Sequence, residues 1–210
     1  MLKVSSGKYK FKRLKEVQDK TITRPSKDIV KLGLSNIINY YLVNNLDINN
    51  KNNLSFLDLF SGTGQIGIEM LSKDIFSLVI FNDKSKEAIK VIKENLTLLN
   101  DEQYLNEHTL LLNKDYLDTL KYIASSKELE IYLPLNVIFL DPPYKDIINY
   151  DFILNLYKLN LISKDSLIII ESDKDLDKSI VDNIDLSKSS NLIKEYKYGR
   201  SKLYLIKVDL

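Results

Sequence analysis

The chain has 210 residues, of which 44% are hydrophobic and 28% charged, with a formal net charge of +1, no cysteine and a single histidine, His108. That length supports one packed domain with a small appendage. Without cysteine there are no disulfides, thiolate metal sites or cysteine nucleophile, one histidine cannot build a multi-histidine metal centre, and no run approaches the ~18 consecutive apolar residues of a membrane span.

Residues 1–23 read as a basic β-hairpin or arm, with short alternating patches (Leu2, Val4; Tyr9, Phe11) around a turn at Ser5-Ser6-Gly7. Residues 24–210 read as the main domain. Its first helix starts at Ser26, after Pro25, with Val30, Leu34, Ile37, Ile38, Tyr41 and Leu42 at helical spacing. A polar loop at 47–53 follows, and then strands alternate with helices. Strand 54–60 leads to a helix over 65–73, and strand 76–82 to a helix over 84–99. Strand 108–112 leads to a helix over 116–127, strand 135–140 to a helix over 146–159, and strand 166–171 to a short helix over 174–182. Strands 191–197 and 202–208 close the chain around a turn at Tyr198-Gly199. This order predicts an α/β Rossmann-like fold: a seven-stranded, mostly parallel sheet with helices on both faces and an antiparallel last strand.

Charge is unevenly placed. Residues 1–27 hold nine Lys/Arg against Glu16 and Asp19, a net +7, which leaves the other 183 residues at −6. A basic arm on an acidic body points to a polyanionic partner.

Three of the six glycines (Gly62, Gly64, Gly67) fall within Phe56-Leu-Asp-Leu-Phe-Ser-Gly-Thr-Gly-Gln-Ile-Gly67, between a strand and a helix. Such a turn brings backbone N–H groups close to a nucleotide-like ligand. The spacing fits a dinucleotide, with Asp83, 21 residues after Gly62, accepting from ribose hydroxyls. Two features favour a different ligand. Asp58 lies inside the strand, where a carboxylate is costly to bury unless a cationic group reaches it; the ammonium of S-adenosylmethionine is such a group and pyrophosphate is not. The fourth strand of the domain ends in Asp141-Pro142-Pro143-Tyr144, which has no role in hydride transfer.

With these residues the chain resembles the class I S-adenosylmethionine-dependent methyltransferases. The resemblance implies a cofactor site at Asp58, Phe60, Gly62, Gly64, Asp83 (ribose) and Asp115 (adenine), with Asp141, Pro142 and Tyr144 as the amino-methylating group and no metal. The chemistry suits those residues. An exocyclic amine is a poor nucleophile because its lone pair is delocalised into the ring. Acceptance of its hydrogens by the Asp141 carboxylate and the Pro142 carbonyl redirects the pair toward the methyl, and Tyr144 offers a face for stacking. This motif does not distinguish adenine, cytosine, guanine or a glutamine amide.

Further matches narrow the family. Ser6-Gly7-Lys8-Tyr9-Lys10, Arg13-Leu14, Thr23-Arg24-Pro25 through Val30, Gly67-Ile68-Glu69-Met70-Leu71-Ser72, Lys93-Glu94-Asn95-Leu96 and Tyr198-Gly199 are similar to the bacterial 16S rRNA guanine-N2 methyltransferases of the RsmD type. Departures from that family are Phe11, where glycine is frequent, Asn82, where an aliphatic residue is usual, and Gly33 inside the first helix. The resemblance implies N2 methylation of one guanine in a 16S rRNA hairpin loop, on naked RNA or on a small-subunit assembly particle. Lys8, Lys10, Arg13, Arg24, Pro143 and Tyr144 would face the RNA; Arg24 could equally pair with Asp28. The expected protein is a cytoplasmic monomer without a membrane partner. The competing readings are an adenine-N6 methyltransferase, a non-catalytic cofactor- and RNA-binding module, and a nicotinamide dehydrogenase.

Overall fold

A computed structural model describes residues 2–17, 28–45, 53–142 and 148–209. Among these residues the arm forms a two-stranded antiparallel pair, β1 (Leu2–Lys3) with β2 (Arg13–Leu14). Then follow α1 (Asp28–Asn45), β3 (Ser55–Asp58), α2 (Gln65–Ser72), β4 (Leu78–Asn82), α3 (Lys86–Thr97), α4 (Glu102–His108), β5 (Thr109–Leu112) and α5 (Tyr116–Ser125). After a 3-10 turn at Lys127–Tyr132 come β6 (Val137–Leu140), α6 (Tyr150–Lys158), β7 (Leu167–Ser172), α7 (Lys178–Asn183), β8 (Leu192–Tyr198) and β9 (Ser201–Lys207).

Seven strands make one sheet in the order β5-β4-β3-β6-β7-β9-β8. Every pair from β5 to β7 is parallel, and β9 runs antiparallel to both β7 and β8. This is the Rossmann-like arrangement expected from the alternating pattern. Its central strands are buried at every position, as a sheet covered on both faces requires. Alternate side chains go to opposite layers. Phe56, Val79, Phe81, Val137 and Phe139 pack against α1, α2 and α3, whereas Leu57, Ile80, Ile138 and Ile168 pack against α5, α6 and α7. The arm belongs to the first layer, because Leu2, Val4, Tyr9 and Leu14 are buried in the same cluster as Val30, Leu34, Ile68 and Met70.

Helix starts follow local chemistry. Ser85 accepts from the Ala88 amide at 3.2 Å, Asp115 from Leu117 at 3.0 Å, Asn149 from Phe152 at 3.0 Å and Asp177 from Ser179 at 2.8 Å, each satisfying an otherwise unpaired first-turn donor. Helix α4 is absent from the sequence reading. It is polar and buries Leu105 alone, so it carries no apolar periodicity. His108, expected in a strand, is its last residue and sets Nδ1 2.9 Å from the Ser77 carbonyl. The strand expected over 54–60 stops at Asp58, although the Leu59 amide still donates to the Phe139 carbonyl at 3.2 Å. The expected helix starts at residues 26 and 146 lie outside the described residues.

Gly33 has a structural reason. A Cβ there would sit 2.2 Å from the hydroxyl and Cζ of Tyr198, so any larger residue must displace that ring from its place beside α1. Gly33→Ala should therefore gain less than the ~1 kcal/mol that alanine offers inside a helix, because the Tyr198 ring has to move. In a Tyr198→Ala background the same change should stabilise by about that amount; equal effects in both backgrounds, read from urea unfolding, would remove the steric explanation.

Candidate active site

The sheet's connections diverge between β3 and β6, and the strand ends at such a switch point form a crevice. The acids picked out in the sequence lie around it. Asp58 ends β3, Asp83 follows β4 and Asp141 follows β6. Register carries Asp58 and Asp141 to the same edge, since Asp58 pairs with Phe139, two residues before Asp141.

The loop between β3 and α2 is held from several sides. Gly62 and Gly64 have positive φ, 53° and 75°, in the region that disfavours a Cβ. The Gly62 amide donates to Asp83 Oδ2 at 2.9 Å, and the Gly64 amide to the Ser61 carbonyl at 2.7 Å. The Gly67 amide donates to Asp58 Oδ2 at 3.1 Å, and a Cβ on Gly67 would come within 2.2 Å of the Phe81 ring. Gln65, the first residue of α2, is 4% exposed and has Oε1 without a hydrogen-bond partner among the described residues.

Electrostatically the crevice is acidic and unbalanced. Asp58 is 1% exposed, and burial pushes its carboxyl up to about 7. The Gly67 amide and the Ser61 hydroxyl oppose that rise, and the charge of Asp83 adds to it. Asp141 is half-buried and is also pushed up, first by burial, then by the charges of Glu171 and Asp58. Among the described residues neither Asp58, Asp83 nor Asp141 forms an ion pair with a cation. Such a cluster favours a positively charged ligand and repels an anionic one.

The other expected residues divide. Phe60 is half-buried with its ring 5.9 Å from that of Tyr116, forming an aromatic wall near the strand ends. Asp115 is exposed and caps α5, which occupies Oδ1 with the Leu117 amide. Pro142 is half-buried beside Asp141. On the arm, Lys10 and Arg13 are exposed, but Lys8 pairs with Asp101 at 2.5 Å and lies 3.9 Å over the Tyr104 ring. Arg24, Pro143 and Tyr144 lie outside the described residues.

Several residues near the site carry contacts for which the sequence held no assigned role. Asn95, fully buried in α3, accepts from the Lys15 amide at 2.7 Å and donates to the carbonyls of Lys15 (3.2 Å) and Thr63 (3.0 Å). One amide thus links the arm to the middle of the glycine loop. Glu69 of α2 is 1% exposed and accepts from the Ser5 amide at 2.8 Å and the Ser6 hydroxyl at 2.9 Å. Ser72 accepts from the Tyr9 amide at 2.8 Å, and its carbonyl from the Lys8 amide at 2.6 Å. Gly7, with φ 77°, fits against Ser72 where a Cβ would fall 1.8 Å from the carbonyl oxygen. Asn82, the departure before Asp83, is satisfied inside the core: it donates to the Leu59 carbonyl at 3.1 Å and accepts from the Thr119 hydroxyl at 2.7 Å. The signal available for Asn95 and Glu69 was a polar residue within an otherwise core-facing helix, which does not name its partner.

Comparison with known proteins agrees with this geometry. The sequence profile described as Conserved hypothetical protein 95 matches residues 2–207. The chain is 32% identical over 176 residues to YlbH of Bacillus subtilis (strain 168), provisionally named an rRNA methyltransferase, covering 84% of this chain and 85% of that protein. It is 30% identical over 180 residues to the ribosomal RNA small subunit methyltransferase D of Buchnera aphidicola subsp. Baizongia pistaciae, covering 85% and 80%. An Escherichia coli structure provisionally assigned as the methyltransferase yhhF superposes with a TM-score of 0.68 at 19% identity, covering 99% of this chain and 98% of that one, a likeness of fold.

The Asp58 environment makes stability pH-dependent. Its folded value near 7 lies above the ~3.9 of an unfolded aspartate. The folded state therefore holds a proton that the unfolded state has released, and stability is lost as pH rises from about 4 to about 7, at up to ~1.4 kcal/mol per unit. Asp58→Asn should raise the melting temperature of the ligand-free protein at pH 8 by several degrees and change it little at pH 4. A variant no more stable at pH 8 would show that Asp58 is charged at no cost.

Proposed function

The chain belongs to the Conserved hypothetical protein 95 family of RsmD-like methyltransferases, and on that premise we propose that it transfers a methyl group from S-adenosyl-L-methionine to the exocyclic N2 amine of a guanine in 16S rRNA. The observation that carries the cofactor part is the group of acids at the strand ends without a cation among the described residues. S-Adenosylmethionine brings two positive centres, an ammonium and a sulfonium, whereas the pyrophosphate of a dinucleotide would meet the same carboxylates as an anion.

The residues fit that ligand. Asp58, desolvated and held by the Gly67 amide, would pair with the ammonium. Asp83, with Oδ2 taken by the Gly62 amide and Oδ1 by Ser85 at 2.8 Å, retains lone pairs for ribose hydroxyls. Phe60 and Tyr116 would cover the adenine beside Asp115. The cofactor supplies an electrophilic methyl on sulfur, and this chain's task is to present the amine.

Asp141 and the Pro142 carbonyl would accept the two amino hydrogens and draw the nitrogen lone pair out of the ring plane. Positive charge beside Asp58 and Asp141 favours both carboxylates and so opposes the upward push of burial on the acceptor. After transfer the nitrogen loses a proton to solvent, so neither a metal nor a strong base is required. The rRNA part rests on relatives named as rRNA methyltransferases, and the N2 position on the whole-chain resemblance to the RsmD type.

With labelled cofactor and small-subunit rRNA or its assembly particle, the wild type should yield N2-methylguanine. Asp141→Ala should lower transfer by roughly 100-fold or more while S-adenosylhomocysteine still binds. N6-methyladenine as the product would replace the guanine reading with the adenine one. Affinity for S-adenosylhomocysteine should rise with pH through about 7, as Asp58 loses its proton to meet the ammonium; a flat profile in calorimetry would take Asp58 out of that role.

A further inference from the structure

Phe11 is the residue of the arm that the fold does least to justify. It is 69% exposed. Its φ is 70°, a left-handed conformation that costs a bulky side chain roughly 1–2 kcal/mol and that glycine adopts freely. The strain is enforced by the hairpin, in which the Phe11 amide donates to the Val4 carbonyl and the Val4 amide to the Lys12 carbonyl, both at 2.9 Å. Among the described residues neither burial nor backbone geometry is improved by a phenyl ring here.

The surroundings define what it meets. Lys10 holds its ammonium 4.9 Å from the Phe11 centroid, and Arg13 is exposed on the same hairpin. The hairpin's other large apolar residues among those described, Leu2, Val4, Tyr9 and Leu14, are all buried, so on the hairpin Phe11 is the exposed apolar side chain. One exposed ring flanked by cations fits a ligand with flat π faces joined by anionic links, which is a single-stranded stretch of nucleic acid.

We propose that Phe11 is a stacking platform for an unpaired base of the RNA substrate, with Lys10 and Arg13 holding the adjoining phosphates. This rests on the RNA reading above and adds a second contact to it. The arm's turn docks at Ser72, the far end of α2 from the glycine loop, and eight residues of helix span about 12 Å. The base on Phe11 is proposed as a contact additional to the target nucleotide that Asp141 would receive. Its contact fixes the register of the RNA on the enzyme.

The test uses the full chain and two fluorescent RNA probes, a hairpin with an unpaired purine loop and a blunt duplex of equal length. Phe11→Gly should bind the loop probe about tenfold more weakly, with the duplex and S-adenosylhomocysteine affinities unchanged. Its melting temperature should stay level or rise, because the strain is relieved; lost binding is then not lost folding. Phe11→Trp should retain loop binding. Lys10→Ala should reduce the salt slope by about one, whereas Phe11→Gly should leave it unaltered. Loop binding by Phe11→Gly equal to wild type overturns the inference alone. A wild type that binds neither probe overturns the RNA reading, and this inference with it.

Discussion

Negative charge buried at the strand ends is the constraint around which this molecule is arranged. Asp58 is placed by the parallel pairing of β3 with β4 and β6 in the centre of the sheet, where water is excluded. Asp83, Asp141 and Glu171 add to the field there. A core that maximised stability would hold apolar residues at these ends. The protein accepts carboxyls pushed up by burial in exchange for strand ends whose field favours positive charge. That is the expected relation between a pre-organised site and fold stability.

The glycine loop beside that crevice is held by groups distant in sequence. Asp83 takes the Gly62 amide, Asp58 the Gly67 amide, and Asn95 contributes to the Thr63 carbonyl. Backbone polar groups in a buried turn need such partners, or the turn would collapse into another conformation. Because Asn95 also brackets both backbone groups of Lys15, and Glu69 and Ser72 hold residues 5–9, the arm is anchored to the two helices that flank the loop. The arm is thus part of the domain's packing as well as its most basic surface.

The residues that depart from the resembled family separate into two kinds. Gly33 and Asn82 are answered inside the fold, by the Tyr198 ring and by the Thr119 hydroxyl with the Leu59 carbonyl. Phe11 is met by the Lys10 ammonium, yet among the described residues its ring stays mostly exposed and its backbone left-handed. That contrast, between substitutions compensated by a neighbour and one that leaves strain and exposure in place, separates packing variation from a residue facing outward.

The sequence by itself determined the alternation of strands and helices and the sheet type, and it picked out Asp58, Asp83 and Asp141, which the fold sets at strand ends. Those follow from local signals: period-two and period-3.6 apolarity, clustered glycines, and carboxylates at strand ends. It missed α4, whose polar turns carry no apolar stripe. For Lys8 it suggested a place facing RNA, and nothing in positions 1–20 announces Asp101 and Tyr104 as its partners within the chain. Only the tertiary structure decided those pairings, the Asn95 bridge, and how far burial moves Asp58. The pairings and the bridge join groups 32 to 96 positions apart, and desolvation is a property of packing that no local pattern encodes.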